Sequence, residues 1–314
     1  MLSREKLEHF PNSLFGSSMG LFGTALALRS GGFGLLSSGV AVLATLVLAV
    51  LFMLYINKIR HHRLAVLAEW NHPVRMAFFP AMSISLLLLA TVLTPTMHGL
   101  ANVIWIVAAA VQAILTLATI AVWIGARPFG PAQLSPAWFI PAVGNVIAPL
   151  AGVHLGHIEV SWYFFSVGLL FWLVLLTLLF NRLMFHDPMP GKLQPTLVIL
   201  IAPPAVGFLS WVMLNGGHVD AFARILINIG YFFTLVVMLR VPQLLKLPFA
   251  LSFWALSFPL AAITTASFRF AALTESGFHH AVGLVLLLLL VLVVGMLVYR
   301  TTKAARADRI CVPE

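Results

Sequence analysis

Ten apolar runs, at roughly 12–29, 35–57, 75–94, 100–124, 136–154, 160–181, 195–215, 220–240, 248–270 and 279–300, take up most of this chain. Each is long enough to cross a hydrocarbon core of about 30 Å at about 1.5 Å per helical residue. Lipid offers the backbone no hydrogen-bond partners, so runs of this length fold as helices. Hydrophobic residues make up 61% of the 314 residues and charged ones 9%, proportions far outside those of a soluble globular domain. The connections leave no room for a folded extramembrane domain. The sequence predicts an all-α integral membrane protein with ten transmembrane helices, a single domain over 1–314 with cytoplasmic tails at 1–11 and 301–314.

Charge placement sets the expected orientation. With the N-terminus in the cytoplasm, fifteen lysines and arginines collect on that side and only Arg29, Arg224 and Arg269 lie opposite. Under the positive-inside rule this bias puts both termini in the cytoplasm. In so apolar a chain the net charge of +9 is first a topology signal, and no nucleic-acid partner is expected. The opening MLSREKLEHFPNS lacks the apolar core and cleavage site of a signal peptide, so the chain is expected to start at Met1. Cys311 is the one cysteine, which excludes an intramolecular disulfide and a thiolate metal cluster. No phosphate-binding loop of the GxxxxGK[ST] type is present, so nucleotide hydrolysis does not drive this protein.

Prolines interrupt the odd-numbered runs and spare the interiors of the even ones. Pro80, Pro141, Pro203 and Pro259 are 61, 62 and 56 residues apart, one helix pair each time. A proline inside a helix removes a hydrogen bond and kinks the chain. The freed backbone groups are tolerated only in protein or along a water-filled cavity. The expected architecture is therefore five helical hairpins, with five Pro-kinked inner helices around a central pore and five continuous outer helices facing lipid. In the first run the proline is missing from the interior, and Gly16, Ser18 and Gly20 of "GSSMG" are expected to supply the irregular segment.

The inner runs hold no Asp, Glu or Lys near their middles, which disfavours a proton pump or tightly coupled antiporter. What remains along the expected axis is neutral. Gly16, Ser18, Ser83, Gly144, Asn145, Gly207 and Thr264 are the pore-lining candidates, with hydroxyl and amide donors that can replace water around a weakly hydrated anion. Helix N-termini created by the breaks favour negative charge, whereas the released carbonyls act in the opposite sense, so the backbone alone leaves the sign of the ion open. His154 with His157, His61 with His62 and His279 with His280 could suggest metal ligation, but all sit at membrane edges. No metal and no cofactor is expected. Asp220 and Arg224, at i and i+4, read as an ion pair anchoring a helix end.

The segments "NHPVRMAFFPAMSIS" (71–85), "SPAWFIPAVGNVIAPLAG" (135–152), "IAPPAVGF" (201–208) and "FWALSFPLAAITTAS" (253–267) resemble, in this order and spacing, the tellurite-resistance/dicarboxylate transporter family. Within it they are most similar to the bacterial TehA-type relatives of the plant slow-type anion channels. The resemblance implies five hairpins around a pore, a homotrimer with one pore per subunit, and passage of small anions through a bacterial inner membrane. It also implies that Phe258, immediately before Pro259, plugs the pore. Alternatives from the same family are proton-coupled carriers of C4-dicarboxylates or sulfite. A histidine-dependent membrane metalloenzyme is the alternative from a different class.

Overall fold

The computed structural model describes residues 4–126 and 129–312. Arg127, counted above among the basic residues, lies outside the described residues, as do the side chain of Arg4 and the C-terminal Glu314. The described chain is helical without strands: α1 (Arg4–Glu8), α2 (Phe15–Ser30), α3 (Gly34–His61), α4 (Arg63–Asn71), α5 (Pro80–Leu93), α6 (His98–Trp123), α7 (Phe139–Val143), α8 (Pro149–Gly152), α9 (Ile158–Phe185), α10 (Ala202–Leu214), α11 (Ala221–Leu244), α12 (Ser257–Thr274) and α13 (Gly277–Arg306). Eight helical segments among them are long and apolar enough to cross a membrane. Outside these eight, the run expected at 12–29 is the 3₁₀ turn Asn12–Leu14 followed by α2, and the run expected at 136–154 is the shorter apolar stretch Pro136–Gly152.

The prolines do not kink continuous α-helices, and here the sequence expectation is corrected. Pro80 is the first residue of α5, after the 3₁₀ turn Arg75–Phe78, and Pro203 is the second residue of α10, after the 3₁₀ stretch Gly191–Ile201. Pro259 is the third residue of α12, after Leu251–Leu256. Pro141 lies in the short α7, which passes into a 3₁₀ turn, Gly144–Ile147, before α8 restarts at Pro149. The first turn of an α-helix has no internal use for its N–H groups, so proline fits there without losing a bond. Each of these runs is thus a tighter 3₁₀ part joined to an α part. The first run makes the same change at Leu14 to Phe15, and "GSSMG" is regular α-helix inside α2 rather than an irregular segment.

Contacts pair each proline-bearing run with the next continuous helix: α5 on α6, the 139–152 stretch on α9, α10 on α11 and α12 on α13, with α2 on α3 as the first pair. The odd segments also touch one another in a closed cycle, α2 to α5, α5 to 139–152, that stretch to α10, α10 to α12, and α12 back to α2. Burial follows the same division. Of the apolar windows, 67% is buried in Arg75–Leu93, 78% in Gly191–Leu214 and 72% in Leu251–Thr274, against 28–39% in the continuous helices. The exposed large side chains of those helices are apolar, such as Leu46, Ile114, Leu173, Leu235 and Leu288. Such surfaces suit lipid rather than water.

Close approach between the layers needs small residues. A Cβ at Gly168 of α9 would lie 2.6 Å from Val146 Cγ1 and 3.0 Å from the Val146 backbone nitrogen, so glycine lets α9 seat on the 3₁₀ turn of the facing run. Gly20 of α2 does the same against Ser257 of α12.

Both terminal segments share one face, because Lys6 Nζ lies 2.6 Å from Asp308 Oδ1. Near that face a buried charge pair ties three segments together. Lys58 Nζ is 2.9 Å from Glu69 Oε1 and donates to the Phe10 carbonyl at 2.7 Å, while Tyr55 donates to Glu69 Oε2 at 2.8 Å. The two charged side chains are 2% and 5% exposed, so the pair is desolvated and held by its own hydrogen bonds. The Asp220–Arg224 pair is not formed. Asp220 caps α11 through Ala223 N–H at 2.8 Å and accepts from Trp211 Nε1 at 2.9 Å, and the Arg224 guanidinium lies over the Phe270 ring.

Candidate functional site

Two cavities lie inside the cycle of odd segments. The smaller, of about 80 Å³, lies towards the face that carries the termini and is lined by residues such as Gly16, Ala81, Gly144, Pro203, Trp254 and Pro259. The larger, of about 460 Å³, lies towards the opposite face and takes in Gly23, Arg29, Thr91, His154, Leu209 and Thr265. All five odd segments contribute to both. Among the described residues only Val206 and Phe258 belong to both linings, so these two residues stand between the cavities.

Local structure explains how Phe258 comes to be there. Ser257 Oγ donates to the Trp254 carbonyl at 2.6 Å, which closes the last 3₁₀ turn, and α12 starts with Phe258 between that turn and Pro259. The ring faces α2 at a glycine. A Cβ on Gly23 would come within 3.2 Å of Phe258 Cδ2 and 2.9 Å of the Ala261 Cβ, so Gly23 provides the room that the aromatic ring occupies. Beyond the ring α12 lines the larger cavity with the small residues Ala261, Ala262 and Thr265.

The polar candidates fall into two groups. Gly16, Gly144, Pro203 and Pro259 line the smaller cavity, whereas Ser18, Ser83, Asn145, Gly207, Thr264, Pro80 and Pro141 lie outside both linings. The polar members of the second group serve the backbone and the helix contacts instead. Asn145 Nδ2 donates to the Ala142 carbonyl at 2.6 Å and to Thr116 Oγ1 at 3.0 Å, and Thr116 donates to the Pro141 carbonyl at 2.8 Å. Ser83 donates to Gln112 Oε1 at 2.7 Å. Ser18 and Ser85 bridge α2 and α5 at 2.8 Å, and Thr264 donates back to the Leu260 carbonyl at 2.7 Å. A buried carbonyl freed by a helix break needs a donor, and Asn145 and Thr116 supply it at Ala142 and Pro141.

The electrostatics of the linings are one-sided. Among the described residues neither lining contains a carboxylate, and the only fixed charge in either is Arg29. The α parts of the odd segments all run towards the larger cavity, so the N-terminal ends of α10 and α12, at Pro203 and Pro259, meet the smaller one. Those ends follow directly on 3₁₀ stretches whose carbonyls accept the Ala202 and Ser257 N–H groups, so they present no free helix-end charge. Of the histidines paired in the sequence, His157 stacks on Trp105 with ring centres 4.5 Å apart and pairs with Asn102, and His279 pairs with Ser276. Among the described residues no three His, Cys, Asp or Glu side chains come together as a metal site.

A sequence profile described as "SLAC1: Voltage-dependent anion channel" matches residues 9–302. The chain belongs to the SLAC1 family. It is 29% identical over 253 residues to the S-type anion channel SLAH3 of Arabidopsis thaliana, covering 79% of this chain and 39% of that protein. It is 26% identical over 222 residues to the guard cell S-type anion channel SLAC1 of the same plant, covering 69% of this chain and 40% of the relative. The tellurite resistance protein TehA homolog of Haemophilus influenzae is 26% identical over 231 residues, covering 73% of this chain and 70% of the relative. The chain thus spans about two fifths of the length of these plant relatives. Membership agrees with the resemblance drawn from the four proline-bearing segments. Val206 and Gly23 were not singled out by sequence reasoning, because an apolar residue and a glycine in an apolar run carry no chemical signal of their own.

Proposed function

We propose that this SLAC1-family chain is a channel for small inorganic anions such as chloride and nitrate, built as ten spans in five hairpins, with Phe258 as its gate. One observation carries the reading: two cavities inside the cycle of odd segments, free of carboxylate in their linings, approach each other at Phe258 and Val206. A dry apolar constriction closes a pore by excluding water, and Arg29 favours negative ions in the larger cavity beside it. Purified protein in liposomes with asymmetric chloride, nitrate and malate salts tests the reading. Single-channel currents support it, and saturable uptake driven by a pH gradient without currents favours a dicarboxylate or sulfite carrier instead. Tellurite resistance, for which the Haemophilus relative is named, would follow here as a by-product of oxyanion permeation.

The proposed site is a bacterial inner membrane with both termini in the cytoplasm. Reporter fusions after residue 314 and within 94–99 are expected on opposite sides of the membrane, and the same side for both would contradict the ten-span topology. The assembly we propose is a homotrimer with a pore in each subunit, which rests on the family resemblance. Mixing wild-type with blocked protomers is expected to give currents in thirds, whereas loss of all current from a single blocked protomer would indicate one shared pore.

A further inference from the structure

The larger cavity contains a cation that the gate does not explain. Arg29 stands in the last turn of α2 and lines this cavity. One of its guanidinium nitrogens donates to the Val92 carbonyl at 3.0 Å, near the C-terminal end of α5. No ion pair joins it to a carboxylate among the described residues, and no Asp or Glu lines the cavity around it. The guanidinium offers five N–H donors, so one bond to a carbonyl leaves most of them unused.

Among the described residues Arg29 is the one permanent cation in this wall. The hydroxyls of Thr91, Thr94 and Thr265 are donated to the carbonyls of Leu87, Ala90 and Ala261 in their own helices. The C-terminal ends of α2, α5, α10 and α12 all point towards this face, and their carbonyls give it partial negative charge that repels anions. Arg29 opposes that field at the place where α2 and α5 end. His98 and His154 line the same cavity and add ring nitrogens, and the cavity reaches exposed residues at Ser30, Pro95 and His98.

We propose that Arg29, with His98 and His154 in the same cavity wall, forms a loading site for a small inorganic anion, a halide or nitrate, in the cavity on the face opposite the termini. The proposal rests on the channel reading for its role but not for its existence. Binding there concentrates anions ahead of the constriction and makes entry from that face saturable.

Chloride-35 line broadening on the full chain in a phospholipid-free maltoside detergent tests the site without conduction, and the detergent excludes a lipid phosphate as the occupant. Wild-type protein is expected to broaden the chloride line, with nitrate removing the excess. Arg29→Gln is expected to weaken the effect by about tenfold, as the loss of a charge-assisted hydrogen bond implies, and Arg29→Lys to retain part of it. An unchanged gel-filtration profile guards against misfolding of either variant. Broadening that is equal in wild-type and Arg29→Gln protein overturns the proposal. In a Phe258→Ala background the conductance is expected to saturate with chloride on the Arg29 face, and Arg29→Gln to remove that saturation. If Phe258→Ala carries no current while broadening that depends on Arg29 persists, the channel reading fails and the loading site stands. Currents whose concentration dependence ignores Arg29 would overturn the loading role and leave the channel.

Discussion

Phe258→Ala is expected to raise anion conductance by about an order of magnitude or more, because it removes the larger of the two side chains between the cavities. Pro259 and the 3₁₀ stretch Leu251–Leu256 remain, so the start of α12 keeps its place. Phe258→Leu is expected to be intermediate, since leucine is smaller and can rotate aside. Val206, the other shared residue, supplies the complementary result. Val206→Phe placed in the Phe258→Ala protein is expected to close the pore again from α10. Phe253 is the control on the same run. It is buried against Trp254 and Leu297, lies outside both cavity linings, and its loss is expected to change conductance little. Currents in planar bilayers from monodisperse variants measure all four. A Phe258→Ala protein that conducts no better than wild type, beside a Phe253→Ala protein that opens, would place the gate elsewhere.

The second large effect is on folding. Glu69→Ala is expected to destabilise the protein by about 3–5 kcal/mol, because it leaves the Lys58 ammonium buried and unpaired. Lys58 also holds the Phe10 carbonyl, so the loss is expected to loosen the N-terminal segment from α3. The double change Lys58→Met with Glu69→Leu separates the cost of an unpaired charge from the worth of the pair. Replacing both members of a buried pair with apolar groups of similar size is often neutral or stabilising, so the double variant is expected to recover most of the loss. Thermal unfolding in detergent is the readout. A Glu69→Ala protein as stable as wild type would show that water or another group reaches Lys58.

Much of the helical layout was legible because the bilayer enforces it. Long apolar runs must be helical, and the repeat of Pro80, Pro141, Pro203 and Pro259 separates buried from lipid-facing helices before any contact is known. The local geometry at those prolines was not legible. The same residue can kink an α-helix or start one, and only the 3₁₀ stretches before Pro80, Pro203 and Pro259 decide between them. The site was partly legible for a related reason. An odd segment buried on nearly all sides has no polar face, so hydropathy could not say whether Ser18, Ser83, Asn145 and Thr264 point to the axis or to neighbouring helices. Neighbouring groups decide it: the carbonyls of Pro141 and Ala142 draw in Thr116 and Asn145, and Ser83 is drawn to Gln112. In the sequence Lys58 is one basic residue among those that set topology, because its partner, Glu69, returns to it only after the chain turns at His62.

The reversal potential of Phe258→Ala channels tests the central claim, a passive anion path through the cycle of odd segments, most directly. With unequal potassium chloride on the two sides of a planar bilayer, the account predicts reversal near the chloride equilibrium potential. It also predicts a shift when nitrate replaces chloride on one side and no response to an imposed pH gradient. Reversal near the potassium equilibrium potential, or electrically silent uptake that saturates and follows the pH gradient, would contradict it.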